Sequence, residues 1–246
     1  MNNRELVGLQ KAAFSGITVG NGDMEHLSNK VGVANYIRIA EQIKNNLKPG
    51  GKILDWGCGY GQMTYLLQNR GLSVTAYEVL KRNNIEKLPV FSEIDIIYGK
   101  ENFRLPFSDE MFDAVLSCGT LEHVPAADAS LKEVHRILKN NGKFFIYMLP
   151  NKLSYAEWRA RKRGVSVHPV KYDKKNIYAL LEKSGFGVFK IKKKNLLPKN
   201  LTGLPGFIKT IYGSLYFVIN PIDSFLSEIP LINCFCGVYE VIAIKI

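Results

Sequence analysis

Residues 55–62, Asp-Trp-Gly-Cys-Gly-Tyr-Gly-Gln, carry the residue types and the spacing in this chain that could bind a ligand. Ile53 and Leu54 lead into them as an apolar run, and Gln62 to Leu67 reads as the start of a helix. A strand, a glycine turn and a helix in that order leave backbone N–H groups facing a ligand. Glycine suits such a turn because it takes dihedrals that a Cβ resists and lets a ligand touch the main chain. A dinucleotide site needs Gly-x-Gly-x-x-Gly, and the sixth position counted from Gly57 is Gln62. Here Gly57, Gly59 and Gly61 alternate instead, behind the carboxylate of Asp55. An anion there would repel a pyrophosphate. It would suit a cation, such as a sulfonium that also carries an α-amino group. Glu78 follows 23 residues after Asp55, at the end of the β-prone run 72–78. A carboxylate at the tip of the next strand can accept both hydroxyls of a ribose.

Further along, residues 105–117 lead to Leu121-Glu-His-Val124, and residues 131–142 follow as a helix-like stretch. Together with the glycine turn and Glu78, they make the chain resemble the class I S-adenosylmethionine-dependent methyltransferases of the small-molecule type 11 kind, over roughly residues 30–190. The resemblance implies a Rossmann-like α/β fold: a seven-stranded sheet, mostly parallel with the last strand antiparallel, and helices on both faces. It implies S-adenosylmethionine as cofactor, bound by Asp55, Gly57, Gly59, Gly61 and Glu78. Ser117, Cys118 and Gly119 would line the same ligand through their main chain. Relatives place an acid just after the third strand to hold the adenine amino group. This sequence has Lys100 there, with Glu101 and Asn102 beside it, and these two are the expected adenine contacts.

Methyl transfer from a sulfonium is an in-line displacement, to which a protein contributes proximity and alignment worth roughly 7–11 kcal/mol. A base is needed only where the acceptor must lose a proton. His123 is the first candidate; a structural place beside the cofactor is the competing reading. His168 is the second, against the reading of a solvated loop histidine. His26 and His135 read as structural. Cys118 lacks the adjacent proline and the paired cysteine motif of covalent pyrimidine-C5 methylation, and reads as a small core residue.

The 246 residues suit a single α/β domain with insertions. An apolar fraction of 46% and a charged fraction of 22% are ordinary for a globular protein and argue against extensive disorder. The net charge of +11 is not ordinary, and it favours an anionic partner: a phosphorylated metabolite, a nucleic acid or an acidic membrane surface. Four cysteines, at 58, 118, 234 and 236, form no disulfide or zinc pattern, so no metal site is expected. No apolar leader opens the sequence, and no run reaches the roughly 18–20 apolar residues of a membrane span. The expected location is cytoplasmic, with peripheral membrane contact left open.

Residues 1–50 read as a loose arm or flap over the cofactor followed by a helix from Ser28, with Val33, Ile37, Ala40, Ile43 and Leu47 at helical spacing. Helices follow at about 60–69, 80–88, 131–142 and 172–184, and strands at about 52–56, 72–78, 94–98, 112–117, 143–148, 186–192 and 238–246. Ser130-x-x-Glu133 has the form of a capping box. Two insertions exceed what the common core needs. Residues 150–170 form a basic, aromatic-bearing cap that includes Arg159, Arg161, Lys162, Arg163 and His168. Residues 195–237 are apolar, aromatic and broken by Pro205, Pro221 and Pro230. They read as a substrate lid or as a segment lying at a membrane interface.

The expected activity is methyl transfer to a small or lipid-linked acceptor. Two alternatives stay open: an RNA methyltransferase using its basic residues on phosphates, and a non-catalytic cofactor-binding or membrane-associated protein. No Asp/Asn-Pro-Pro-Tyr/Phe sequence, the mark of exocyclic-amine methylation, follows the fourth strand.

Overall fold

Alternate side chains of a strand point to opposite faces of its sheet, and here both faces are apolar. In β1 (Lys52–Trp56) Ile53 joins one buried cluster while Leu54 and Trp56 join the other. In β4 (Phe112–Cys118) Ala114 and Leu116 alternate with Val115. In β5 (Leu138–Pro150) Phe145 and Tyr147 alternate with Phe144 and Ile146. Such strands are stable only when covered on both sides. The computed structural model, which describes residues 3–162, 164, 169–202 and 204–246, has helices on both faces.

The seven strands run in the order β3-β2-β1-β4-β5-β7-β6, with β2 (Ser73–Glu78), β3 (Ile96–Tyr98), β6 (Phe186–Lys194) and β7 (Val238–Lys245) completing the sheet. Every pair is parallel except those made by β7, which inserts antiparallel between β5 and β6. This is the architecture the resemblance implied. Helices α1 (Asn3–Thr18), α2 (Lys30–Lys44) and α3 (Gln62–Gln68) cover one face, and α4 (Ala127–Ile137) and α6 (Lys174–Lys183) the other. α2 starts at Asn29, whose side chain accepts the Gly32 N–H at 2.8 Å.

The N-terminal stretch is not a loose arm. Leu6, Leu9, Ala12 and Ala13 recur at helical spacing and are buried in the first core cluster. Glu5 on the same helix meets Arg70 at 2.8 Å, with both side chains buried. Leu9→Ala should therefore destabilise the fold by about 2–5 kcal/mol, as other buried leucine truncations do. A melting temperature unchanged by that substitution would mean that α1 is peripheral.

Other boundaries also moved. The helix expected at 80–88 reduces to a 3-10 turn at Ile85–Lys87, because Asn84 takes a left-handed conformation with φ +56°. Ser130 does not cap α4, which begins at Ala127; its hydroxyl is buried inside the helix, and its N–H donates to Ala126 O at 2.9 Å. Glu133 instead accepts the Leu105 N–H and the guanidinium of Arg136.

The two insertions fold as helices. α5 (Tyr155–Lys162) carries Tyr155 stacked on Trp158, with the Lys162 ammonium 4.2 Å from the indole centroid. Arg163 and His168 lie outside the described residues. α7 (Gly206–Ser214) and α8 (Tyr216–Leu226) pack against α2. Their faces are inverted. Asp223 and Ser227 are buried against the protein, whereas Phe207, Phe217 and Phe225 are 68%, 64% and 71% exposed. No described helix is long and apolar enough to cross a membrane.

Candidate active site

The carboxyl ends of β1, β2 and β4 meet at the glycine turn. Gly57 N–H and Cys58 N–H both donate to Tyr77 O on β2, at 2.9 and 3.0 Å. Gly57 has φ +72°, and a Cβ there would lie 2.3 Å from Thr120 Cγ2, so the loop after β4 closes tightly on this turn. At Gly59, φ +60°, the space is open: a Cβ would meet nothing nearer than Gln62 Oε1 at 3.8 Å. The first glycine serves packing and the second leaves room. Gly61 precedes the first residue of α3.

Glu78, at the end of β2, is buried and reaches back into this turn. One carboxylate oxygen accepts the Gly59 N–H at 2.9 Å; the other accepts those of Val79 and Leu80 at 2.8 and 3.1 Å. A carboxylate has about four acceptor positions, so capacity remains for a further donor. Asp55 is 1% exposed and accepts the Thr64 hydroxyl at 2.7 Å, which ties the turn to α3. The backbone of 101–102 is held at the same edge. Trp56 Nε1 donates to Asn102 Oδ1 at 3.1 Å, and the Tyr77 hydroxyl donates to Glu101 O. The Glu101 side chain is exposed.

On the other side of the turn, Ser117 Oγ accepts the Leu121 N–H at 3.2 Å. Burial first, then the charges of Asp55 and Glu122, push the Cys118 thiol well up, which disfavours a thiolate there. His123 is exposed at the end of a 3-10 turn, Leu121–His123, while its neighbour Glu122 is buried. Thus Asp55, Gly57, Gly59, Gly61, Glu78, Asn102, Ser117 and Cys118 come together, and His123 sits at the rim. Three residues that the sequence reading passed over complete the site. Glu122 is buried with Oε2 unpartnered among the described residues, and Gln62 Oε1 is likewise unpartnered. The buried Tyr36 hydroxyl, from α2, lies beside the Gln62 side chain. Glu122 had a signal, since it stands inside Leu121-Glu-His-Val124. Tyr36 had none, because only the fold brings α2 to the turn. Asp23 closes the approach: it accepts the Tyr60 hydroxyl at 2.7 Å and pairs with Arg82 at 3.1 Å.

Both buried acids are hard to ionise. Burial pushes Asp55 up to about 6, against the lowering hydrogen bonds from Thr64, and pushes Glu122 up to about 7. A carboxyl raised in the folded state subtracts from stability while it is ionised, and the penalty shrinks as pH falls below its folded value toward its unfolded one. The ligand-free chain should therefore melt higher at about pH 6 than at about pH 8. A cation at the turn favours the ionised forms, so its affinity should fall over the same window. Calorimetric titration across about pH 5.5–8 checks this; a flat affinity would place the cation away from both acids.

Comparison with known proteins bears on the domain and the fold that carry this turn. Residues 54–146 match the methyltransferase domain family. Over these residues the chain is similar to that domain, and its fold is that of solved S-adenosylmethionine-dependent methyltransferases. An S-adenosylmethionine-dependent methyltransferase of Methanosarcina mazei shares the fold with a TM-score of 0.58, at 18% identity over 83% of this chain and 97% of that one. The 1,6-didemethyltoxoflavin-N1-methyltransferase of Burkholderia thailandensis, solved with S-adenosylhomocysteine, gives a TM-score of 0.53 at 16% identity over 85% of this chain and 78% of that one. Among curated proteins, the sterol 24-C-methyltransferase ERG6B of Gibberella zeae is 31% identical over 108 residues, 41% of this chain and 28% of that enzyme. Cycloartenol-C-24-methyltransferase 1 of Oryza sativa is 30% identical over 107 residues, 41% of this chain and 31% of its own. The chain spans less than a third of the length of these two relatives.

The residues present at the turn fit S-adenosylmethionine, the ligand that this similarity points to. The open space at Gly59 admits a ligand against the main chain. The unpartnered oxygens of Glu122 and Gln62 are acceptors, as a ligand bearing an ammonium and a sulfonium requires.

Proposed function

We propose that the chain is a methyltransferase that acts on a lipid-linked acceptor at a membrane surface. S-adenosylmethionine supplies a methyl group on a cationic sulfonium when bound. In this reading Glu78, with three acceptor positions already filled, accepts one ribose hydroxyl rather than both, Asp55 and Glu122 favour the cationic end, and the 101–102 segment borders the adenine. The protein's contribution to the displacement is alignment and exclusion of water. His123, at the rim, serves only acceptors that must lose a proton.

The observation that carries the acceptor class is the inverted amphipathicity of α7 and α8. Large apolar side chains turned outward over two consecutive helices exceed the scattered exposure normal for a surface. Helices of this kind, with cations nearby, suit the plane of a membrane interface. The sterol methyltransferases named above act on apolar acceptors by their names, which agrees with this reading. The lysines of β6 support the RNA alternative less well than their number suggests, because Lys192 and Lys194 both pair with Glu228, at 2.6 and 2.9 Å. The test is transfer of labelled methyl from S-adenosylmethionine into a cell extract, partitioned between organic and aqueous phases. Label in the organic phase is expected. Nuclease-sensitive label in the aqueous phase would replace the reading with RNA methylation.

A further inference from the structure

A cavity of about 310 Å³ lies between α2, α8 and the end of β6, lined by Asn35, Arg38, Lys194, Lys199, Tyr216 and Phe217 among others. Its volume is that of a small-molecule pocket. Its position is informative. Lys194 pairs in register with Val238, and Val238 with Pro150, so the end of β6 lies at the sheet edge where β5 ends. That is the edge carrying the glycine turn, and the charges of Arg38 and Glu240 reach the Cys118 thiol.

The lining has its acceptors occupied internally. Asn35 Oδ1 accepts from Arg38 Nη2 at 2.8 Å, and Glu240 takes two further guanidinium bonds. Asn220 Oδ1 and Asp223 both take the Lys199 ammonium, at 2.7 and 3.0 Å, while Lys194 pairs with Glu228. What remains is a donor. Asn35 is 3% exposed, and its Nδ2 has no partner among the described residues. A buried N–H without an acceptor is disfavoured until something supplies one. Burial lowers the Lys199 ammonium, and the charges of Arg38 and Lys194 add to this against the pull of Asp223. An anion in the cavity would offset the burial of the Lys199 ammonium and supply the acceptor that Asn35 Nδ2 lacks. On the outer side, Phe217 and Pro221 continue the cavity wall into the exposed apolar face of α8.

We propose that this cavity binds the oxyanionic head group of an amphiphile, a phosphate or carboxylate, with Asn35 Nδ2 as its buried donor and the apolar chain leaving along α8. That the amphiphile is the methyl acceptor rests on the function proposed above; the binding site does not. The test is calorimetry of the full chain with dodecyl phosphate below its micellar concentration, with inorganic phosphate and with the uncharged dodecyl maltoside. Asn35→Asp keeps the acceptor for Arg38 and replaces the donor with a negative charge. Lys199→Gln is the second variant. The expected result is binding of dodecyl phosphate in preference to both other probes, weakened about tenfold or more by either variant. S-adenosylmethionine affinity should stay unchanged in both. Equal binding of dodecyl phosphate and maltoside, or equal binding by wild type and both variants, would overturn the site. Equal binding of dodecyl phosphate and inorganic phosphate would keep the oxyanion site and overturn the amphiphile. Failure of the wild type to bind S-adenosylmethionine would sink the methyl-transfer reading and leave the head-group site standing.

Discussion

Glu78→Ala is expected to weaken S-adenosylmethionine binding by about a hundredfold. Hydrogen bonds to a charged group contribute about 1.5–3 kcal/mol each, and the ribose would lose the one that Glu78 has room to accept. The substitution also leaves the N–H groups of Gly59, Val79 and Leu80 without their acceptor, so the turn itself loosens. Calorimetry separates the two effects when Glu78→Gln is measured alongside. The amide can still accept on its oxygen but turns an N–H₂ toward backbone donors, and an intermediate loss is expected. A cofactor affinity that neither variant changes would move the ribose away from β2.

The second large effect concerns the apolar face. Replacing Phe207, Phe217 and Phe225 together with serine should abolish co-sedimentation with vesicles that contain anionic lipid. Each ring withdrawn from the interface removes about 1.5 kcal/mol or more, so partitioning should fall about a thousandfold. The same variant should melt no lower than the wild type, because these rings are exposed in the folded chain. Sedimentation with vesicles like that of the wild type would show that α7 and α8 do not face lipid.

Much of the core was legible because its signals are local. The Asp55–Gly61 spacing, the acid at Glu78 and the apolar strand Phe112–Cys118 each state their role within a few residues. The antiparallel last strand came from family likeness, since nothing in the run 238–246 itself reports its direction. The failures share one cause: tertiary contacts decided them. α1 looks loose because glycine, serine and asparagine are scattered around it, yet Leu6, Leu9, Ala12 and Ala13 find a partner face in α2 and α3. Ser130-x-x-Glu133 fits a cap, but the helix starts three residues earlier and Glu133 is drawn to Leu105 and Arg136. The outward orientation of Phe217 and Phe225 could not be read from composition, because an apolar stripe in a sequence ordinarily marks the inner face. Glu122 was overlooked beside a histidine with more familiar chemistry.

The helical insertion leaves and rejoins the sheet at a single point. Gly237 N–H donates to Asn195 O at 2.9 Å, beside the last register pair of β6 and β7, Lys194 with Val238. Asn151 clasps the returning strand through the carbonyls of Cys234 and Cys236. Everything between 195 and 237 thus hangs from a closed neck, and closing a loop depends only weakly on its length. The neck by itself would accept a segment of another length, but the packing of α7 and α8 on α2 and the Glu228 pairs with Lys192 and Lys194 would have to be rebuilt. In the function proposed above, a change of acceptor would then call for changes in 195–237 and in the α2 face it packs on, while the glycine turn and its carboxylates stay as they are.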